Sequence, residues 1–474
     1  MKNFLKFKHV HIIGICGVGM SGIAIFLKNK GYKITGSDIV KNETFHLLKK
    51  VGITIYNFHC KKNLYKKQLI IYSNAISKEN EEIIYAKKLK IPIISRSKIL
   101  KNIMNKYYKI LISGTHGKTT VTGAIIHMLK QSKLNPNFIN GGVLIDDYYS
   151  SGVGKEKYFV AELDESDCYF SKFDSNVSLI TNIEKDHMEK YDYSLKKLCS
   201  YFLKFLNRTE KLNGYSIICL DDFICKKIIK HISYKFLTYG FNKYSDVKIV
   251  KYMQCFNFMK FYIFYKNKKI MKIKSNIIGK HNALNMTAVA AVGIKEGIKY
   301  KTIEKSLNTF KGVKRRLQFL GNYNFKYLNK IIKNIICIDD YAHHPKEIKC
   351  SIETLKLSWP NKKIILVFQP HRFSRLSYFY DKFINVLSKV DFLILLNVYS
   401  AGEENVYNFN IIDFYKSIKK LKKINIFFVK NKNYLSFCLF NNIKNNYLLL
   451  IQGAGTVSEL MKKILLKYSH NLYI

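Results

Sequence analysis

Acid is what this chain has least of. Its 474 residues carry 33 Asp and Glu against 80 Lys and Arg, a formal charge of +47. Pro (5) and Trp (1) are nearly missing too, while Tyr (34) and Phe (32) abound. The lysines are spread along the whole chain instead of gathering in one block. That is the profile of AT-rich codons pushing surface positions toward Lys and Asn, and it argues against a selected polyanion-binding surface. The field would still favour an anionic substrate over the roughly 8–10 Å that salt leaves unscreened. The ten cysteines include no C-x-x-C pair. This excludes a zinc pattern and a secreted disulfide framework, and reduced cytosolic thiols are expected. No span is long and apolar enough for a bilayer. The segment Val10 to Leu27 follows Lys2, Lys6 and Lys8 and mimics a signal peptide, but glycines at 14, 17, 19 and 22 break it. Solenoid repeats, low-complexity linkers and nucleic-acid-binding motifs are all lacking. What is left is a cytosolic globular chain, 48% hydrophobic, long enough for two to four domains.

What is present begins with Gly114-Thr115-His116-Gly117-Lys118-Thr119-Thr120. The run Lys109–Ser113 before it predicts a buried strand, and Ala124, Ile125, Met128 and Leu129 share one face of a helix predicted over 121–130. Strand, glycine loop and helix in that order aim backbone N–H groups and a positive helix end at an anion. Lys118 suits neutralisation of β- and γ-phosphates, and the Thr119 hydroxyl suits Mg²⁺. The usual P-loop has a further glycine where this chain has Ile112, so the loop is a variant.

Gly17-Val18-Gly19-Met20-Ser21-Gly22 fits G-x-G-x-x-G between a strand predicted at 9–13 and a helix at 20–28. With Asp38 closing the next strand, it predicts a turn for a nucleotide diphosphate, either a dinucleotide or a UDP-sugar. Glu162-Leu163-Asp164-Glu165-Ser166-Asp167 follows a strand predicted at 158–161. In a chain so poor in acid, such a cluster beside a phosphate loop points to Mg²⁺ ligands. The next strand, 177–181, leads to His187 as a further candidate ligand. Asn282 and Asn285 open a helix over 282–295, and their amides can read an adenine. Apolar runs at 335–338, 364–368, 392–396 and 447–451 predict parallel strands buried on both faces. The first is followed by Asp339-Asp340-Tyr341-Ala342-His343-His344, the second by Gln369-Pro370-His371-Arg372-Phe373-Ser374-Arg375. His371, Arg372 and Arg375 suit a carboxylate or phosphate clamp. A nicotinamide-dependent oxidoreductase would explain the first block but leave the phosphate loop idle. A nucleic-acid-binding ATPase would explain the charge but not the missing motif. NADH binding and stimulation by DNA or RNA discriminate the two.

In order along nearly the whole chain, GICGVGMSGIA, GTHGKTT, ELDESD, NIEKDHM, GKHNALN, DDYAHHPKE, QPHRFSR and a late Gln452-Gly453-Ala454-Gly455 resemble the Mur ligase family. The glycine fingerprint and Tyr-x-His-His-Pro resemble its alanine-adding branch. A muramyl-peptide-recycling relative shares much of this, but DESD and DHM favour alanine addition. The resemblance implies an α/β fold of three domains. These are a Rossmann-like UDP-sugar-binding domain over 1–107, a P-loop-type ATPase domain over 108–314, and a Rossmann-like C-terminal ligase domain over 315–474. It also implies ATP- and Mg²⁺-dependent ligation of L-alanine to UDP-N-acetylmuramate through an acyl phosphate, in cytoplasmic peptidoglycan precursor synthesis. The implied partners are small molecules, without nucleic acid or membrane.

By the same resemblance, Gly114 to Thr120 with Asn282, Asn285, Arg315 and Asp340 fall in the ATP site. Thr119, Glu162 and His187 fall on the metal. Gly17, Gly19, Asp38, Ser73 and Asn74 fall on the UDP moiety. Tyr341, His343, His371, Arg372 and Arg375 surround alanine and the muramoyl carboxylate. Lys118, Glu162, His187 and His343 are the expected catalytic groups. The departures are Cys16 inside the glycine loop, Asn74 for a common serine, and Thr456-Val457-Ser458 after the last glycine. None removes a catalytic candidate.

Overall fold

The structure is a computed structural model that describes residues 6–73, 75–421, 425–431 and 433–473. The chain divides into two compact units. One comprises Met1–Tyr252, Lys260–Ser275 and Asn282–Lys311, and the other Met253–Met259, Asn276–His281 and Gly312–Ile474.

The first unit opens with short strands rich in Ile, Val and Leu, whose inner residues are mostly buried. They are β1 (His9–Ile13), β2 (Lys33–Ser37), β3 (Thr54–Tyr56), β4 (Leu69–Tyr72) and β5 (Ile93–Ser95), ordered β3-β2-β1-β4-β5 and all parallel. Parallel neighbours need crossovers. These carry α1 (Val18–Asn29), α2 (Glu43–Lys50) and α3 (Glu81–Lys88), and α4 (Arg96–Met104) follows β5. Helix α2 shows how local chemistry sets the ends. Asn42 accepts from the Phe45 N–H, Glu43 sits in the first turn, and Lys49 and Lys50 close the last, each placed to suit the helix dipole. The strand order reverses between β1 and β4, which puts the ligand crevice of such a sheet at their carboxyl ends.

A ten-stranded sheet completes this unit. Its strands are β6 (Tyr108–Ser113), β7 (Asn137–Ile139), β8 (Ser151–Gly152), β9 (Tyr158–Glu162), β10 (Val177–Ile180), β11 (Tyr215–Cys219), β12 (Phe236–Gly240), β13 (Val247–Cys255), β14 (Phe258–Tyr265) and β15 (Lys268–Ser275). Their order is β15-β14-β13-β12-β11-β10-β6-β9-β7-β8, with β6 parallel to both β9 and β10. Helix α5 (Lys118–Gln131) starts directly after the phosphate-type loop. It begins three residues earlier than the apolar spacing predicts, because Gly117 itself is its N-cap.

The second unit holds a seven-stranded sheet of β16 (Gln318–Tyr327), β17 (Lys330–Asp340), β18 (Ile364–Phe368), β19 (Phe392–Leu396), β20 (Asn425–Val429), β21 (Leu448–Gln452) and β22 (Ser469–Tyr473). Its order is β20-β19-β18-β21-β17-β16-β22. The strands from β20 to β17 are parallel, as the apolar runs predict, whereas β16 pairs antiparallel with both β17 and β22. Helices cover both faces, with Ile348, Ile352, Phe383 and Phe414 in one core and Leu439, Phe440, Met461 and Leu465 in the other. Among the described residues no helix is long and apolar enough to cross a membrane.

A buried ionic network ties the first sheet together. The Glu82 carboxylate, 0% exposed, accepts from Ser37 Oγ at 2.6 Å and Asn63 Nδ2 at 2.7 Å. His59 Nδ1 lies 3.4 Å and His11 Nε2 3.5 Å from it. Burial by itself would raise the Glu82 carboxyl, but His11, His59 and Ser37 outweigh it and hold it well below the usual range. Burial holds the His11 imidazole below its ordinary 6.5, against the opposing pull of Glu82. Both groups therefore bind protons more readily in the unfolded chain, so their stabilisation is present at neutral pH and lost on acidification. The melting temperature is expected to fall as pH drops through 6.5 toward 5, and faster below the ordinary carboxylate range. His11→Gln, which cannot titrate, should flatten the upper part of that fall in a calorimetric pH series.

Candidate active site

The loop after β6 is shaped by its neighbours. Gly114 has φ +130° and Gly117 φ +84°, conformations that cost an L-residue with a side chain roughly 1–2 kcal/mol. Neither position has room for a side chain either. A Cβ on Gly114 would meet Thr181 Oγ1 at 2.3 Å, and one on Gly117 would meet Asn285 Oδ1 at 2.6 Å. From the end of β10, Asn182 holds the loop in reciprocal bonds. Its Oδ1 accepts from His116 N and its Nδ2 donates to His116 O, both at 2.9 Å. Thr181 Oγ1 donates to the same carbonyl at 2.7 Å, and Thr115 Oγ1 accepts from Glu184 N at 2.9 Å. Thr119 and Thr120 are buried in the first turn of α5.

Lys118 curls over this loop. Its Nζ donates to Gly114 O at 2.6 Å, Thr115 O at 3.0 Å and Glu165 Oε2 at 2.5 Å. Burial alone would lower the ammonium, but Glu165, Asp164 and Glu162 outweigh it and hold it up. Burial likewise opposes ionisation of Asp164, yet Lys118, Arg96 and His187 bring its carboxyl down to about 2. His187 stands at φ +53° just past β10. Desolvation works against its charge, while Glu189, Asp186, Glu165 and Asp164 raise it. The parallel pairing of β9, β6 and β10 thus brings Lys118, Thr119, Asp164, Glu165 and His187 to one edge. Glu162, the last residue of β9, belongs to the same charge cluster, and the space a Cβ on Gly141 would need is filled by its carboxylate at 1.7 Å. Its Oε2 is buried without a hydrogen-bond partner. Hard carboxylate oxygens with one such unsatisfied acceptor fit a divalent cation of the Mg²⁺ type.

At the first sheet, Asp38 serves the glycine turn directly. Its Oδ2 accepts from Cys16 N at 2.8 Å and its Oδ1 from Val40 N at 3.0 Å. Gly17 is the N-cap of α1, which has no acidic residue in its first turn. Ser73, at the end of β4, lies beside Gly14, 3.2 Å from where a Cβ there would sit. Asn74 lies outside the described residues.

In the second unit a cationic cluster gathers at the carboxyl ends of β17, β18 and β21. Arg315 donates to Gly453 O at 2.6 Å and lies 4.9 Å over the Tyr341 ring. His343 Nδ1 is 3.0 Å from Tyr341 O, and its ring centre is 5.4 Å from that of His371. His371 stacks on Tyr399 at 5.6 Å and lies 3.3 Å from Arg375 Nη1. Burial, helped by Arg375, brings the His343 imidazole down to about 4. Burial with His343, Arg375 and Arg372 brings His371 to about 2. Both rings are neutral at pH 7. Arg372 pairs with Glu403 at 3.4 Å. Asp340 is fully engaged by Ser351 Oγ at 2.5 Å, Gln452 Nε2 at 3.0 Å and Leu317 N at 3.2 Å.

Several contributors escape sequence reasoning. Glu165 is hidden among four acids in six residues. Asn182 and Asn285 carry no sign that they brace the loop. Gly141, Tyr399 and Glu403 lie outside every motif. Only the Gly141-Gly142 pair after a short apolar run gives a signal.

Residues 9–108 match the Mur ligase family catalytic domain, 112–293 the Mur ligase middle domain, and 324–455 the Mur ligase glutamate ligase domain. A UDP-N-acetylmuramate–L-alanine ligase of Wigglesworthia glossinidia brevipalpis is 44% identical over 463 residues, 97% of either chain. The crystal structure of a UDP-N-acetylmuramate–alanine ligase from Thermotoga maritima superposes with a TM-score of 0.83 at 28% identity, covering 97% of this chain and 98% of that one. A murein peptide ligase from Psychrobacter arcticus shares the fold, with a TM-score of 0.73 at 20% identity over 98% and 100% of the two chains.

Gly117→Ala adds a methyl both to a left-handed residue and into the Asn285 amide. It is expected to lower affinity for a nucleoside triphosphate by about tenfold or more, with a small change in melting temperature, measured by titration and calorimetry.

Proposed function

This chain belongs to the Mur ligase family, and from that premise we propose that it joins L-alanine to UDP-N-acetylmuramate at the expense of ATP, releasing ADP and phosphate, in peptidoglycan precursor synthesis. The observation that carries this reading is the loop after β6, with Lys118 held over it among Glu165, Asp164 and Glu162. It is a site for moving a phosphoryl group, supported by full-length similarity to alanine-adding relatives.

The chemistry follows from the substrates. A carboxylate is a poor acyl donor, since oxide would have to leave. Transfer of the γ-phosphoryl group makes an acyl phosphate, whose leaving group is phosphate, and the alanine amine attacks it through a tetrahedral intermediate. The loop N–H groups and the start of α5 cradle the phosphates. Lys118 neutralises charge on the transferring group and must turn from the loop carbonyls and Glu165 to do so. Asn182 and Asn285 keep the loop in shape. Thr119, Glu162 and His187 would hold Mg²⁺, which when bound spreads charge off the phosphoryl oxygens. The glycine turn, Asp38 and Ser73 take the UDP moiety. In the second unit, Arg372 and Arg375 suit the α-carboxylate of alanine. The rings of His343 and His371, kept neutral and weakly basic by burial, line the same cluster as uncharged hydrogen-bonding groups.

ADP release is expected to require UDP-N-acetylmuramate and L-alanine together, with glycine and L-serine as weaker acceptors, because a single methyl discriminates by only about 1–3 kcal/mol. With ¹⁸O in the muramoyl carboxylate, label should leave in the released phosphate. Turnover with an L-alanyl-containing peptide, but not with alanine, would favour the recycling reading instead.

Glu162→Gln keeps size and removes charge. It is expected to cut kcat on the order of a hundredfold, with the KM for the UDP-sugar little changed and part of the loss relieved by raised Mg²⁺. Weaker Mn²⁺ binding to the resting protein, read by electron paramagnetic resonance, checks the same assignment without turnover.

A further inference from the structure

Arg96 is the first residue of α4, directly after β5, beside the point where the order of the first sheet reverses. Its guanidinium occupies the space that the missing side chain of Gly19 leaves open. A Cβ on Gly19 would lie 2.5 Å from Arg96 Cζ, 2.6 Å from Nη2 and 2.7 Å from Nε. The cation therefore rests on the first turn of α1.

That is an adverse place for it. The first turn of a helix exposes unpaired N–H groups and a partial positive charge. Here that turn has neither an acidic residue nor a side-chain cap. On its other side Arg96 faces the acidic loop. It shares a cavity with Glu162, Asp164 and Asp167, and Ser97 Oγ donates to the Asp167 carboxylate, which fixes the start of α4 there. The helix end repels the guanidinium while the acidic loop attracts it. An anion laid against the turn would meet donors from both the helix end and the guanidinium, whose fork matches phosphate oxygens.

We propose that Arg96 is a substrate-binding residue whose guanidinium grips the diphosphate of the UDP-sugar alongside the N–H groups of the glycine turn. The assignment rests on reading that turn as the UDP-sugar site. The substrate has a second anion, the muramoyl carboxylate. The diphosphate is favoured because the guanidinium touches the turn itself.

Calorimetric titration of the full chain with UDP, UDP-N-acetylglucosamine and UDP-N-acetylmuramate tests this, since the first two lack the carboxylate. Arg96→Ala is expected to weaken all three by about ten- to a hundredfold, and Arg96→Lys to recover part of the loss. ATP affinity should not change. The comparison is made well below the melting temperature of every chain, because Ala also removes the attraction between Arg96 and Asp164. Loss confined to UDP-N-acetylmuramate, or no loss with any ligand, would overturn the proposal. Failure of the parent chain to bind UDP would instead remove the reading of the turn, and the proposal with it.

Discussion

An ammonium buried against a carboxylate at 2.5 Å is the interaction on which the first unit's site depends. Desolvating such a pair costs several kcal/mol per ion, and removing one partner from a buried pair costs about 3–5 kcal/mol. Lys118 answers to more than Glu165. Asp164 and Glu162 also act on it, and two loop carbonyls accept from it. Without that cation the carboxylates after β9 would face one another uncompensated, and burial already pushes the Glu165 carboxyl up while Lys118 opposes it. The lysine is thus a counterion to the acidic cluster in the resting protein, and under the proposed function it also contacts the transferring phosphoryl group. Both tasks need Lys118 within reach of the loop, and the glycines, Thr181, Asn182 and Asn285 restrict the loop from which it springs.

The three sheets repeat one arrangement. In each, parallel strands end at a common edge, and residues just beyond the strand ends meet although they are far apart in sequence. Asp38 reaches the glycine turn across 22 residues, Asn182 reaches His116 across 66, and Arg315 reaches Gly453 across 138. In all three the link is a side chain bonded to backbone. Backbone groups are indifferent to side-chain identity, so these edges hold shape even where neighbouring residues vary.

Much of this was legible in the sequence because buried parallel strands are short apolar runs and glycine turns are spelled directly. The strands at 9–13, 364–368 and 392–396 have the same limits in both readings. The meander β13–β15 was not foreseen. Its strands alternate, as in Lys272-Ile273-Lys274-Ser275, with burial eBeB, and lysine-rich alternation in a chain this basic resembles solvated loop. The antiparallel β16 and β22 were missed because their polar residues, such as Asn322 and Asn324, dilute any apolar period. In the site, residues that carry charge chemistry stood out against the scarcity of acid. Those that only shape it, such as Gly141, did not, since the role depends on what a side chain would strike in three dimensions. Asp340 and Asp38 carry a related lesson. The sequence offers both as binding-site residues and does not show that each also accepts from donors of its own unit.

Among the described residues the buried acids are Asp38, Glu82, Glu165, Asp339 and Asp340. Each lies just past the carboxyl end of a strand, is one of its last two residues, or accepts a bond from a residue that closes one. Set beside a surface drifting toward Lys and Asn, this has an evolutionary consequence. One G-to-A change turns an Asp codon into Asn and a Glu codon into Lys, so a genome moving toward adenine erodes acids first. At these positions that step would insert an amide or an ammonium where buried donors already converge. The few acids left inside are therefore where mutational pressure and the folded chain pull hardest in opposite directions.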